Sequence, residues 1–275
     1  MSRLPIGRGG VSRLRPLRPS LLAILAVALV VVVACAAPSR RALPPAAPPT
    51  GPPVVYVAVG ASETVGFGAD QPLRESWPRV LFRTALPPSA VFVNMGIPGA
   101  TVAQALREEL PQALNVHPAL ATVWLNVNDI IAGVAAPDFE RDLTTLVHGL
   151  RSNGTTRVLV ANVPPLDQLP AYLACRSGTP TAERDGPCGG SSDLPGPDAL
   201  DRIVDSYNAA TARVAAHEGA SVVDLNAVGL AARQAGTAAS LVSKDGFHPS
   251  TAGHAAVAKA FADVLAQGGP VTPTG

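Results

Sequence analysis

Val54-Val55-Tyr56-Val57-Ala58-Val59-Gly60 is an apolar, β-branched run that stops at glycine and is followed at once by Ala61-Ser62-Glu63. Such a run without polar alternation reads as a buried strand. Four more runs of the same kind follow: AVFVN (90–94), LATVWLNV (120–127), TRVLVANV (156–163) and ASVVDLN (220–226). Between them lie helix-start signals. Ser76 precedes Trp77-Pro78, Thr101 precedes VAQALREEL, Pro137-Asp138 opens DFERDLTTLVHGLRSNG, and Pro197-Asp198 opens a segment that ends near Gly219. Strands that alternate with helices predict an α/β fold in which a parallel sheet is covered on both faces.

The expected architecture is therefore a three-layer αβα domain over residues 54–267, with a five-stranded, parallel, doubly wound sheet in the flavodoxin-like order 2-1-3-4-5. Ligands of such sheets sit beyond the carboxyl ends of the strands, near the switch point between strands 1 and 3. The segment from Pro164 to Gly196 is too long for a simple connection and reads as a functional loop.

The flanks have another composition. Lys plus Arg number 21 against 20 Asp plus Glu, but five arginines (Arg3, Arg8, Arg13, Arg15, Arg18) fall in the first 18 residues. Without residues 1–34 the chain carries 16 basic and 20 acidic groups, so it lacks the basic surface that a nucleic-acid partner requires. Arg-rich residues 1–20, the apolar run LLAILAVALVVVVA (21–34) and Cys35 after a small residue follow the order of a secretory leader. Val32-Val33-Ala34-Cys35 resembles a bacterial lipobox, and the resemblance implies a signal peptide over 1–34, lipid on Cys35 and an extracytoplasmic protein anchored to the membrane. An uncleaved signal anchor or simple secretion is the alternative. Seven prolines between Pro38 and Pro53 make residues 35–53 a stiff linker, with a reach of about 50 Å at ~3.1 Å per residue. In an exported chain, Cys175 and Cys188 in one Gly/Pro/Ser-rich loop predict a disulfide. Residues 268–275 are expected to form a disordered tail, and the domain is expected to be monomeric.

Polar residues collect at the strand ends. Gly60-Ala61-Ser62-Glu63 follows strand 1, Asn94-Met95-Gly96-Ile97-Pro98-Gly99-Ala100-Thr101 follows strand 2, Asn126-Val127-Asn128-Asp129 follows strand 3, and Asp245-Gly246-Phe247-His248-Pro249 precedes the last helix. Together they supply a serine, a base, an orienting carboxylate and hydrogen-bond donors, the inventory for acyl transfer through a serine. Singly each has a plainer reading. Ser62 caps a helix, Asp245 and His248 form a turn, and Asn128 satisfies a strand end. His117, His148, His217 and His254 read as surface or packing residues, and Trp77 and Trp124 as core or groove wall.

The four blocks in this order resemble those of the SGNH, or GDSL-type, esterases and lipases over about residues 54–265. The resemblance implies Ser62 as nucleophile, His248 as general base and acid, and Asp245 as the group orienting the imidazole. The N–H groups of Ser62 and Gly99 and the amide of Asn128 would form an oxyanion hole, with no cofactor and no metal. Two departures stand out: the family's Gly-Asp-Ser is Gly60-Ala61-Ser62 here, and its Gly-x-Asn-Asp is Asn126-Val127-Asn128-Asp129. The expected activity is hydrolysis of a small-molecule, polysaccharide or lipid ester. The alternatives are O-acyl transfer on the same fold, a flavin- or phosphate-binding module, a non-catalytic binding lipoprotein, and a metal-dependent hydrolase using Asp245, His248 and His254. Phe67 to Trp77 and the long loop at 164–196 are expected to shape specificity.

Overall fold

Strands β1 (Val55–Gly60), β2 (Val91–Asn94), β3 (Leu120–Trp124), β4 (Arg157–Ala161) and β5 (Ser221–Val223) form one all-parallel sheet in the order β2-β1-β3-β4-β5. The structure is a computed structural model that describes residues 53–176 and 194–273. The leader, Cys35 and the linker as far as Pro52 lie outside the described residues, as does Cys188. Both the expected fold class and the expected strand order are found.

Eleven α-helices occur among the described residues: α1 (Ser62–Val65), α2 (Pro72–Glu75), α3 (Trp77–Ala85), α4 (Val102–Asn115), α5 (Val127–Ile131), α6 (Ala136–Arg151), α7 (Pro170–Arg176), α8 (Pro197–Glu218), α9 (Leu225–Gln234), α10 (Ala238–Leu241) and α11 (Thr251–Gln267). Several start where a side-chain oxygen meets an otherwise unpaired N–H. Thr101 accepts from Gln104 N–H, Asp224 from Ala227 N–H and Ser250 from Gly253 N–H. Each such cap contributes about 1 kcal/mol.

Successive side chains of a strand point to opposite faces, so β1 sends Val57 and Val59 one way and Tyr56 and Ala58 the other. The first face packs under α4, α6 and α8 through Val102, Phe139, Leu143 and Tyr207. The second packs under α3 and α11, where Trp77 stacks on Phe261 with ring centroids 4.3 Å apart and meets Trp124 edge-on at 6.2 Å. Because both faces of β1, β3 and β4 are covered, those strands carry no polar alternation.

Three strands end earlier than their apolar runs. Val127 already belongs to α5 and Leu225 to α9, so the last apolar residues of those runs begin helices instead of extending the ladder. The tail also departs from expectation. Residues 268–273 run back along the domain, where the Arg157 guanidinium donates to the carbonyls of Val264 and Gly269 at 3.0 and 2.9 Å, and Val271 packs against the Val54, Ala90 and Ala119 cluster. One half-buried valine and one arginine tie down a stretch whose Gly/Pro/Thr composition reads as unstructured.

Candidate active site

The site begins where β1 stops. A Cβ on Gly60 would lie 2.0 Å from Thr64 Oγ1 and 2.9 Å from the Trp124 carbonyl, so only glycine lets the chain turn straight into α1. Ser62 is the first residue of that helix. Its Oγ lies 2.9 Å from His248 Nε2, and His248 Nδ1 lies 2.6 Å from Asp245 Oδ2. Nδ1–H donating to the carboxylate leaves Nε2 free to accept the serine proton.

The turn carrying His248 and Asp245 is closed by its own hydrogen bonds. Asp245 Oδ1 accepts from Ser243 Oγ at 2.6 Å, Phe247 N–H at 2.8 Å and His248 N–H at 2.9 Å, and Ser243 N–H donates to the His248 carbonyl. Burial alone would raise the Asp245 pKa. The hydrogen bonds outweigh it and hold this carboxyl down at about 2, so it stays an anion. At Gly246, φ is +75° and a Cβ would meet Ala171 N, because α7 docks on this turn through Ala171 N–H and the Gly246 carbonyl.

Across from the serine, Gly99 adopts φ +81° in the turn where Ala100 N–H donates to the Ile97 carbonyl. Neither Ser62 N–H nor Gly99 N–H finds an acceptor among the described residues. Asn128 Nδ2 donates one hydrogen to the Ala100 carbonyl at 3.0 Å, which orients the amide. Asp129, buried behind it, accepts the Val102 N–H on both oxygens at 3.2 Å, and burial pushes its carboxyl up to about 6. Asn94 ties the remaining pieces together. Its amide donates to the Thr64 carbonyl and its Oδ1 accepts from Gly96 N–H, so the turn after β2 is held against α1.

A cavity of about 460 Å³ opens beside Ser62, within the size range of small-molecule sites. Its walls are largely aliphatic: Pro164 to Pro170, Leu225 and Val228 of α9, Leu241 of α10 and Val257 of α11. Asn126 also lines it, buried, with its amide donating to the Ala161 carbonyl. Trp124 forms part of the wall, whereas Trp77 is core. The segment Phe67 to Trp77 does not line the cavity. Phe67 instead stands over His248, ring centroids 5.5 Å apart.

His254 explains that placement. It is fully buried, its Nδ1 accepts from Trp77 N–H at 3.3 Å, and its Nε2–H donates to the Phe67 carbonyl at 2.9 Å. Both ring nitrogens are engaged, so His254 is a packing residue that anchors the Phe67 loop and does not join Asp245 and His248. His148 and His217 are exposed and share Glu218. Cys175 stands on α7, and its expected partner lies outside the described residues. Sequence reasoning missed the cavity walls from 225 to 241 and gave no role to Glu63 and Glu109, two carboxyls packed beside the serine.

A family model described as the GDSL-like lipase/acylhydrolase family matches residues 58–256. The chain belongs to this family. As a GDSL hydrolase it is a serine esterase or lipase of the SGNH type, and its fold recurs in solved structures. TesA is 21% identical, with a TM-score of 0.56 over 77% of this chain and 97% of that one. The lipase/acylhydrolase from Enterococcus faecalis is 17% identical, with a TM-score of 0.57 over 80% and 100%. The esterase EstA from Pseudoalteromonas sp., solved inhibited by monoethylphosphonate, is 16% identical, with a TM-score of 0.55 over 78% and 97%. No curated protein sequence matches the chain significantly.

Burial drives the His254 pKa down, so the imidazole is neutral in the fold while the unfolded chain protonates near pH 6.5. Unfolded chains then bind more protons, and this group's contribution to stability is lost as pH falls below about 6.5. His254→Phe strands the Trp77 N–H and the Phe67 carbonyl and should cost roughly 1–3 kcal/mol at pH 7 in urea unfolding. At pH 5 the gap to the wild type should narrow. An equal gap at both values would refute the neutral, doubly bonded imidazole.

Proposed function

We propose that the protein hydrolyses carboxylic esters of apolar acyl groups, with Ser62, His248 and Asp245 as a catalytic triad. The observation that carries this reading is the unbroken relay Asp245–His248–Ser62 at 2.6 and 2.9 Å, ending at a serine whose own N–H has no acceptor among the described residues. Ser62 Oγ attacks the ester carbonyl as its proton passes to His248 Nε2. Asp245, an anion, holds the imidazole's orientation and stabilises the imidazolium. The carbonyl oxygen gains its charge between Ser62 N–H, Gly99 N–H and the second hydrogen of the Asn128 amide. Collapse breaks the ester C–O bond, and the alcohol leaves with the proton from His248. Water, deprotonated by the same imidazole, then attacks the acyl-serine, releasing the carboxylic acid and restoring Ser62. No step calls for a cofactor. The aliphatic cavity beside Ser62 supports an extended acyl chain over acetyl, since each buried methylene contributes about 0.8 kcal/mol.

The leader sequence supports export and lipid attachment at Cys35, with the Pro-rich linker as tether, and export supports a Cys175–Cys188 disulfide. Intact mass of the membrane-extracted protein should show a diacylglyceryl Cys35 as first residue, and non-reducing peptide maps should show the disulfide. An unmodified Cys35 and two free thiols would refute these assignments.

Kinetics tests the chemistry. Ser62→Ala should abolish turnover of p-nitrophenyl esters and labelling by a fluorophosphonate. Asn128→Ala removes one oxyanion donor, so kcat should drop about 10²- to 10³-fold, or about 3–4 kcal/mol, with little change in KM. Wild-type kcat/KM should be higher for octanoate than for acetate. Activity surviving in Ser62→Ala would overturn the mechanism.

A further inference from the structure

Two carboxyls that the proposed chemistry leaves unused hold the strand end that presents Ser62. Gly60 N–H donates to Glu109 Oε2 at 2.9 Å, and Ala61 N–H donates to Glu63 Oε1 at 3.0 Å. Glu109 is buried on α4, and its Oε1 has no partner among the described residues. Glu63 follows Ser62 directly on α1, accepts from Thr64 Oγ1 as well, and is the one acidic residue in the cavity lining among the described residues. The family's aspartate just before the serine is Ala61 here, so the acid at this elbow comes from the other side of the nucleophile.

Resting on the assignment of Ser62 as nucleophile, we propose that Glu63 is a positioning residue that also gates the reaction. As the neutral acid it holds Ala61 N–H and leaves the oxyanion site uncontested; as the carboxylate it sets a negative charge beside the carbonyl oxygen that must become negative. Burial pushes Glu63 up to about 7 against the opposing pull of its hydrogen bonds, and pushes Glu109 up to about 8, with the charge of Glu63 adding to the rise. The sign follows: Glu63 is neutral below about pH 7 and ionises above it, so activity is lost as pH rises. From α4 it faces Glu109, with Glu108 adjacent to that residue. His248 of the catalytic turn is hydrogen-bonded to Ser62 Oγ, Arg233 of α9 lines the cavity and pairs with Asp167, and Asp129 of α5 accepts the Val102 N–H. Arg79 of α3 is turned away, over Phe92.

Fluorophosphonate labelling of the full-length protein, followed from pH 5 to 9 and corrected for hydrolysis of the probe, tests the gate. The wild-type rate should fall about tenfold between pH 7 and 9, since a like charge now opposes the oxyanion. Glu63→Gln keeps an oxygen for Ala61 N–H but cannot ionise, and its rate should show no fall between pH 7 and 9. In the wild type, the infrared carbonyl band of a protonated carboxylic acid should vanish over the range in which labelling falls. A wild-type profile without an alkaline fall overturns the gate, and so does a fall that persists in Glu63→Gln. Should that variant not fold, the infrared titration decides in a Glu109→Gln background, which removes the other carboxyl that ionises in this range: a band unchanged from pH 6 to 9 overturns the gate, and one lost in step with labelling sustains it. If Ser62 is never labelled at any pH, the nucleophile assignment itself fails, a result distinct from a labelled serine with no gate.

Discussion

The end of β1 carries three consecutive backbone N–H groups, and the chain satisfies two of them. Those of Gly60 and Ala61 go to the carboxyls of Glu109 and Glu63, while that of Ser62 is left without an acceptor among the described residues. Buried N–H groups are seldom left unpaired, so the exception marks the place where a ligand atom completes the set. Everything around it keeps that one donor aimed and open. Gly60 lets the strand turn without a Cβ, Asn94 fixes α1 against the turn after β2, and Asp129 fixes α4 behind Asn128. Because β1 lies between β2 and β3, the turn bearing Gly99 and the helix bearing Asn128 reach Ser62 from its two sides.

Most of the fold was legible because parallel strands covered on both faces are written as continuous β-branched runs. VVYVAVG and TRVLVANV could only be buried strands, and Thr101 announced its helix by the oxygen with which it caps it. The ends of the runs were not legible. Val127 and Leu225 are as apolar as any strand residue, and what makes them helical is tertiary: one begins the helix carrying Asn128, the other begins a wall of the cavity. The tail failed for a similar reason, since a single Val271 finds its pocket only once Val54 and Ala90 are already in place.

The site divides in the same way. Ser62, Asp245, His248, Gly99 and Asn128 stand in short blocks whose residue types suit acyl transfer, so the amino-acid order alone points to them as candidates. Glu109 lies 47 residues after Ser62, within VAQALREEL, where it looks like one more solvated acid of a helix. Only the packing of α4 against β1 turns it inward. His254 reads as a surface or packing residue in the sequence, and its partners, a backbone N–H and a backbone carbonyl on a distant loop, leave no trace there.

The proposed mechanism requires a preformed oxyanion pocket at the end of β1, and a crystal structure of the protein inactivated by an alkyl phosphonate tests that most directly. The phosphorus should be bonded to Ser62 Oγ. Its charged oxygen should sit about 2.7–3.1 Å from Ser62 N, Gly99 N and Asn128 Nδ2, with the alkyl chain in the cavity between α9 and α11. A phosphonyl oxygen turned away from these three donors, or an adduct on any residue other than Ser62, would contradict it.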